Sequence, residues 1–217
     1  MILESSQLLL RGAAELGISL TAKHLGDFQL YLEEINRWTK KINLVSRKDD
    51  REIVIKDFLD SLTLVKHLSP VGLLLDLGSG AGFPGFPLKI VLPKLEVFFL
   101  EATRKKVFFL REVQRLLRVK GAEIRWTGEK AGVTDLFSRF DFVVSRAFGP
   151  ILEFAREGSD FLRQGGLLVA MKGKKGREEL DECLSSLGKM KLQLKFLESL
   201  RLPFWHHERT LIGLIKN

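Results

Sequence analysis

The sequence predicts an α/β fold: a mostly parallel seven-stranded sheet with an antiparallel C-terminal strand, carrying an N-terminal helical cap. Three observations predict it. Apolar residues before Pro70 recur at helical spacing, short apolar runs after it alternate with helix-length stretches, and the first of those runs ends in an acid followed by spaced glycines.

Residues 1–69 read as the cap. From Thr21 to Trp38 the apolar residues Leu25, Phe28, Leu32 and Ile35 mark one helix face, and a second helical run extends from about Arg51 to His67. Residues 70–217 read as the main domain. Strands are expected at Leu73 to Leu77, Val97 to Leu100, Ile124 to Trp126, Phe142 to Val144 and Leu167 to Met171. Gly85 to Leu92, Arg104 to Leu117 and Pro150 to Leu162 have the length and spacing of crossover helices, so the strands between them run parallel. Leu192 to Glu198 and Thr210 to Ile215 are two further strand-like runs without a helix between them, which predicts an antiparallel pair closing the sheet edge.

A chain of 217 residues suits one α/β domain with an extension. No segment approaches the roughly 18 consecutive apolar residues of a membrane span, and Met1 to Leu10 lacks a basic leader. Cys183, the only cysteine, permits neither an internal disulfide nor a cysteine metal cluster. A cytoplasmic, monomeric protein without metal or membrane partner is the expectation. The net charge of +8 points to a polyanionic partner. Basic residues cluster at Lys172, Lys174, Lys175 and Arg177, at Arg104 to Lys106, and at Arg37, Lys40 and Lys41, although a solvated surface accounts equally for any one cluster.

The segment Leu74 to Gly85 is an apolar strand ending in Asp76 and then Gly78, Gly80, Gly82 and Gly85. Glycine permits a tight turn with positive φ and close backbone approach to a ligand. Gly80-x-Gly82-x-x-Gly85 also satisfies the dinucleotide pattern. A carboxylate ahead of the glycines repels a pyrophosphate and suits a cationic amino-acid group, so Asp76, Gly78, Ser79, Gly80, Gly82 and Phe83 favour S-adenosylmethionine. Glu101 ends the next apolar run, where open sheets place ligand contacts, and is expected to accept from ribose hydroxyls; a surface glutamate is the alternative. Gly128, Glu129 and Lys130, with Ala131, are candidates to flank the adenine, a plain loop being the other reading.

Longer stretches are more specific: Trp38 to Ser46, Asp60-Ser61-Leu62, Asp76 to Pro87, Lys105 to Leu110, Val144-Ser145-Arg146-Ala147-Phe148 and Met171-Lys172-Gly173. On these the chain resembles the glucose-inhibited division protein B family, also called ribosomal RNA small-subunit methyltransferase G. The resemblance implies a class I S-adenosylmethionine-dependent methyltransferase (Rossmann-like) fold that methylates N7 of a guanine in 16S ribosomal RNA, free or in the small ribosomal subunit. The family often shows Arg-His where this chain has Lys56-Asp57, and no role is assigned to Asp57. Glu129-Lys130-Ala131-Gly132 and Thr210 are further departures.

Guanine N7 has an in-plane lone pair and no proton, so attack on a sulfonium methyl needs no general base. Neither an Asn/Asp-Pro-Pro-aromatic loop nor a proline-cysteine context is present, which disfavours amine and carbon-five methylation. Ser145 and Arg146 fall at the end of the fourth strand, where they are expected to face the transferred methyl as catalytic residues. Arg146 is counted with the cofactor-facing residues too, its partner being a phosphate, guanine O6 or an orienting acid, and a structural salt bridge the alternative. Lys172, Lys174, Lys175, Arg177 and Arg209 are expected to track the RNA backbone. Phe148 is either a stacking platform or a core residue, and His206 with His207 lacks a third metal ligand. A small-molecule or protein methyltransferase and a dinucleotide-dependent protein are the competing readings.

Overall fold

The structure, a computed structural model, describes residues 2–46, 49–128, 132–146, 148–206 and 208–217, the side chains of residues 2 and 3 excepted. The cap begins with α1 (Ile2–Glu15) and α2 (Ala22–Thr39). Thr21 starts α2 because its hydroxyl accepts the His24 N–H at 3.2 Å while the His24 ring accepts the Thr21 N–H at 3.3 Å, satisfying two backbone donors that a helix start leaves unpaired.

The run expected as one helix from Arg51 to His67 is divided. It comprises α3 (Asp50–Ile53), a π-helical turn over Val54–Leu59, α4 (Asp60–Leu62) and a 3₁₀ turn over Val65–His67. A π-turn widens the helix by one residue and shifts which side chains face inward. Here Asp57 and Asp60 are carried into the interior together with Val54 and Phe58, all at 0 or 1% exposure.

Beyond the cap follow β1 (Gly72–Leu77), α5 (Gly85–Val91), β2 (Leu95–Glu101), α6 (Arg104–Leu117), β3 (Ala122–Trp126), β4 (Phe140–Arg146), α7 (Ile151–Ser159), β5 (Leu162–Gly173), α8 (Gly176–Lys189), β6 (Leu192–Arg201) and β7 (Glu208–Lys216). Among the described residues the seven strands form one sheet in the order β3-β2-β1-β4-β5-β7-β6. β7 lies antiparallel between β5 and β6, so the C-terminal pair does close the sheet edge, with β6 outermost. The remaining neighbours pair in parallel.

β5 starts five residues earlier than its apolar pattern suggests. Leu162 pairs with Phe140, the register then slips, and pairing resumes at Leu167 with Phe142. The slip is taken up over Arg163 to Gly166, where Gly165 has φ +72°, and the exposed Arg163, Gln164 and Gly165 hide the strand start from a hydrophobicity reading.

Two apolar layers cover the sheet. On one face Phe28, Tyr31 and Phe58 of the cap share a cluster with Phe86, Phe99 and Val169, so cap and sheet bury each other's apolar surface. On the other, α7 and α8 bury Phe154, Leu180 and Leu187 against Leu75, Val143 and Leu168. The crossover β1 to β2 lies on one side of β1 and β4 on its other side, which makes the C-terminal ends of β1 and β4 the switch point where open α/β sheets hold ligands. Among the described residues no helix is long and apolar enough to cross a membrane.

Candidate active site

A cavity of about 530 Å³ opens at that switch point, within the range of small-molecule sites. Its walls come from the loop after β1 (Gly78 to Ala81, and Phe83), the end of β4 (Arg146), the end of β5 (Met171 to Gly173), the start of β7 (Arg209), the cap's Asp57 and the segment Leu44 to Ser46.

The glycine loop is held from beneath by two acids. Asp76 is fully buried, and its Oδ2 accepts the Gly85 N–H at 2.8 Å. Glu101 at the end of β2 accepts the Gly80 N–H at 2.8 Å and the Thr103 N–H at 2.7 Å. Ser79 ties the loop down through its hydroxyl, which donates to the Asp76 carbonyl at 2.8 Å. From the cap, the Tyr31 hydroxyl donates to the Ala81 carbonyl. Asp76 therefore lies under the loop and not on the cavity wall, which corrects the simple picture of an exposed carboxylate. Its Oδ1 has no hydrogen-bond partner. Burial pushes the Asp76 pKa up to about 7, against the opposing pull of the Gly85 N–H and Arg146.

The glycines divide into two kinds. A Cβ on Gly82 would stand 2.4 Å from the Phe86 ring, and one on Gly85 would stand 2.3 Å from Phe99 and 2.7 Å from Asp76, so these two serve internal packing. A Cβ on Gly80, which has φ +58°, would have only the Gly78 carbonyl within 4 Å, at 3.8 Å, and Gly80 lines the cavity. Gly128, expected beside the adenine, is packed under Trp126, whose ring would lie 2.5 Å from an added Cβ. Glu129, Lys130 and Ala131 lie outside the described residues, as does His207.

Arg146 sits in a buried charge network: the orienting acid or salt bridge expected for it from sequence is present, and its members Asp57 and Asp60 are residues given no role there. Its Nη1 donates to Asp57 Oδ1 at 2.5 Å and to the Lys56 carbonyl at 2.8 Å, and lies 3.8 Å from Asp60 Oδ2. Arg209 of β7 donates to the same Asp60 oxygen at 2.7 Å. Side-chain exposure is 15% for Arg146, 1% for Asp57 and 0% for Asp60. Burial opposes the Arg146 charge, but Asp57 and Asp60 outweigh it and the guanidinium is held above its ordinary pKa. Burial raises the Asp60 pKa despite Arg209 and Arg146. The face of Phe83 lies 4.8 Å from the guanidinium carbon, so Arg146 is gripped by carboxylates at one side and an aromatic ring at another. Two acids three residues apart on an apolar helix face were the available signal for Asp57 and Asp60.

Ser145 departs from the expected catalytic position. Its hydroxyl is buried and donates to the Leu77 carbonyl at 2.7 Å, fastening β4 to β1. Lys172 lines the cavity, but its ammonium already donates to the Gly149 carbonyl at 2.6 Å and to Glu179 at 2.9 Å. Lys174, Lys175 and Arg177 are exposed just beyond it. Phe148 packs on Phe154, ring centroids 5.7 Å apart, which favours the core reading. Among the described residues no group of three or more His, Cys, Asp or Glu could hold a metal ion.

A family model described as rRNA small subunit methyltransferase G matches residues 24–211. The ribosomal RNA small subunit methyltransferase G of Geotalea uraniireducens (strain Rf4) is 43% identical over 213 residues, 98% of this chain and 97% of that one. Solved structures share the fold. A methyltransferase from Pyrococcus furiosus superposes with a TM-score of 0.61 at 14% identity, over 87% of this chain and 96% of that one. M. jannaschii TYW2 in complex with AdoMet superposes with a TM-score of 0.60 at 14% identity, over 82% of this chain and 80% of that one.

Proposed function

The chain belongs to the rRNA small subunit methyltransferase G family, and from that premise we propose that it methylates N7 of a guanine in 16S ribosomal RNA, with S-adenosylmethionine as donor. One observation carries the reading. A glycine loop with an open Gly80, underlain by the buried carboxylate of Asp76, faces an aligned, charged Arg146 across one cavity.

The residues fit the cofactor. Asp76, buried beneath the loop, places negative charge under the ammonium group of the cofactor without lining the cavity, Gly78 to Gly80 leave room for its backbone-like portion, and Glu101 at the end of β2 retains lone pairs for ribose hydroxyls. When bound, S-adenosylmethionine supplies an electrophilic methyl group on a sulfonium.

What the chain itself contributes is alignment. Guanine N7 has no proton to remove, so the site needs no general base, and the cavity's Asp57 is accordingly engaged with Arg146. Arg146, unable to lose its proton, orients guanine through O6 or an adjacent phosphate; donation to N7 itself would block the attacking lone pair. Holding the two reacting atoms in line can remove about 7 to 11 kcal/mol of the barrier in favourable cases. Ser145 keeps β4 in register beneath Arg146, Lys172 and Arg209 meet backbone phosphates at the mouth, and the exposed Lys174, Lys175 and Arg177 add only a weak phosphate contact because Glu178, Glu179, Asp181 and Glu182 follow them. We place the protein in the cytoplasm as a monomer without metal.

Incubation with labelled methyl donor and, separately, stripped small subunits, naked RNA and protein fractions tests this. Label in RNA that digests to 7-methylguanosine is the expected result; label in protein alone overturns the RNA reading. Calorimetry with S-adenosylmethionine and NAD is expected to show binding of the first only, and exclusive NAD binding would remove methyl transfer altogether.

A further inference from the structure

Positive charge on this chain is concentrated away from the cavity. Residues 104–120, which hold α6 and its exit, carry seven Lys or Arg (Arg104, Lys105, Lys106, Arg111, Arg115, Arg118, Lys120) and one acid, Glu112, for a net +6 of the chain's +8. Residues 172–182 carry four basic residues (Lys172, Lys174, Lys175, Arg177) and four acids (Glu178, Glu179, Asp181, Glu182), for a net of zero. The cluster that first invites an RNA reading is therefore neutral as a unit.

On α6 the arginines share one side. Arg104, Phe108, Arg111, Arg115 and Arg118 recur at intervals of three and four residues and are all exposed, opposite the buried Val107, Leu110, Val113 and Leu117. Phe108 stands half exposed (50%) within this arginine stripe. The stripe starts next to Glu101 at the cofactor side and runs about 21 Å. Glu112, its single acid, is shared by Arg115 at 2.8 Å and by Arg37 of α2 at 3.5 Å. Past Arg37 the exposed Lys40 and Lys41 lead to Leu44, Val45 and Ser46 on the cavity wall. Exposed basic residues thus occur between α6 and the mouth of the site, with Arg37 among them paired to Glu34 at 2.6 Å.

Resting on the RNA reading given above, we propose that the exposed face of α6 is a second RNA contact outside the cavity: its arginines meet backbone phosphates and Phe108 stacks on an unpaired base. Charge complementarity selects the partner class. Arginines in a row suit phosphates, and an exposed aromatic ring among them suits the face of an unstacked base.

The test compares two matched triple variants in direct binding, without methyl donor, to a 20-nucleotide single-stranded oligoribonucleotide and to stripped small-subunit RNA. R104Q/R111Q/R118Q is expected to weaken binding at least ~10-fold and to lower the slope of log K against log salt by about 2, near 0.7 per lost phosphate contact. K174Q/K175Q/R177Q removes the same formal charge and is expected to cost less than about 3-fold, because the acids of α8 already cancel that field. Phe108→Ala, at an exposed position that does not threaten folding, is expected to lose about 5-fold or more. Unchanged affinity and salt slope in the α6 triple, or an equal loss in the α8 triple, overturns the proposal. So does a folded α6 triple that loses binding to an acidic protein fraction but none to RNA. Binding of S-adenosylmethionine by each variant reports folding. The two readings fail separately: RNA methylation with an unaffected α6 triple removes only the second contact, whereas absence of RNA methylation by the wild type removes the function and leaves the contact judged by the binding measurements.

Discussion

Asp57→Asn probes the charge network that fixes Arg146. The substitution keeps the shape and an acceptor oxygen but removes the charge 2.5 Å from the Arg146 guanidinium. Breaking a buried ion pair by removing one partner costs about 3–5 kcal/mol. Arg146 retains the Lys56 carbonyl at 2.8 Å and Asp60 at 3.8 Å, which lowers the expected loss to about 2–3 kcal/mol. For a chain of this size each kcal/mol moves Tm by about 2–4 °C, so thermal unfolding followed by circular dichroism should show a drop of roughly 4–12 °C. With Arg146 in the substrate-orienting role proposed for it, methyl transfer should fall in kcat more than in cofactor affinity. Arg146→Gln in the Asp57→Asn background should add little, since the two act as one unit. A Tm within about 1 °C of wild type together with unchanged kcat would refute the argument that this pair orients the site.

Other perturbations separate the parts of the site. Asp76, with its pKa raised to about 7 by burial, binds more protons in the folded than in the unfolded chain between about pH 4 and 7. Its contribution to stability is therefore fully present below pH 4 and is lost as pH rises through 7; Asp76→Asn should raise the Tm of the free protein at pH 8, and no rise would contradict the burial argument. Over the same interval the affinity for S-adenosylmethionine should increase as the carboxylate ionises, and calorimetry on Asp76→Asn should find that dependence flattened. Gly80→Ala, with space around it but φ +58°, should cost about 1–2 kcal/mol and weaken cofactor binding, whereas Gly85→Ala, facing Phe99 at 2.3 Å, should yield little folded protein; equal behaviour of the two in expression and unfolding assays would contradict the division of the glycines. Tyr31→Phe leaves the Ala81 carbonyl without its donor and should destabilise by about 1–3 kcal/mol in denaturant titration, a neutral result meaning that the cap does not brace the loop through this bond.

The fold was legible because alternating apolar runs and helical spacings are local patterns, and every expected strand has its counterpart in the sheet. Boundaries failed where polarity masks pairing, as at Arg163 to Gly166 of β5, and where a single helical period conceals a π-turn, as at Val54–Leu59. The glycine loop and the positions of Asp76, Glu101 and Arg146 at strand ends follow from chain order, since a strand's carboxyl end is fixed once the strand is read.

What each of these groups touches was settled only by packing. Asp57, given no role from its neighbours in sequence, meets Arg146 at a sequence separation of 89, and Asp60 meets Arg209 at a separation of 149. Ser145 looks outward on paper and is spent on a β1 carbonyl in space. Sequence determines which residues are apolar, charged or free to turn, because those are properties of single residues and short periods. Partnership between charges requires the closure of long loops, and its energy exists only in the low-dielectric interior that the folded chain creates around them.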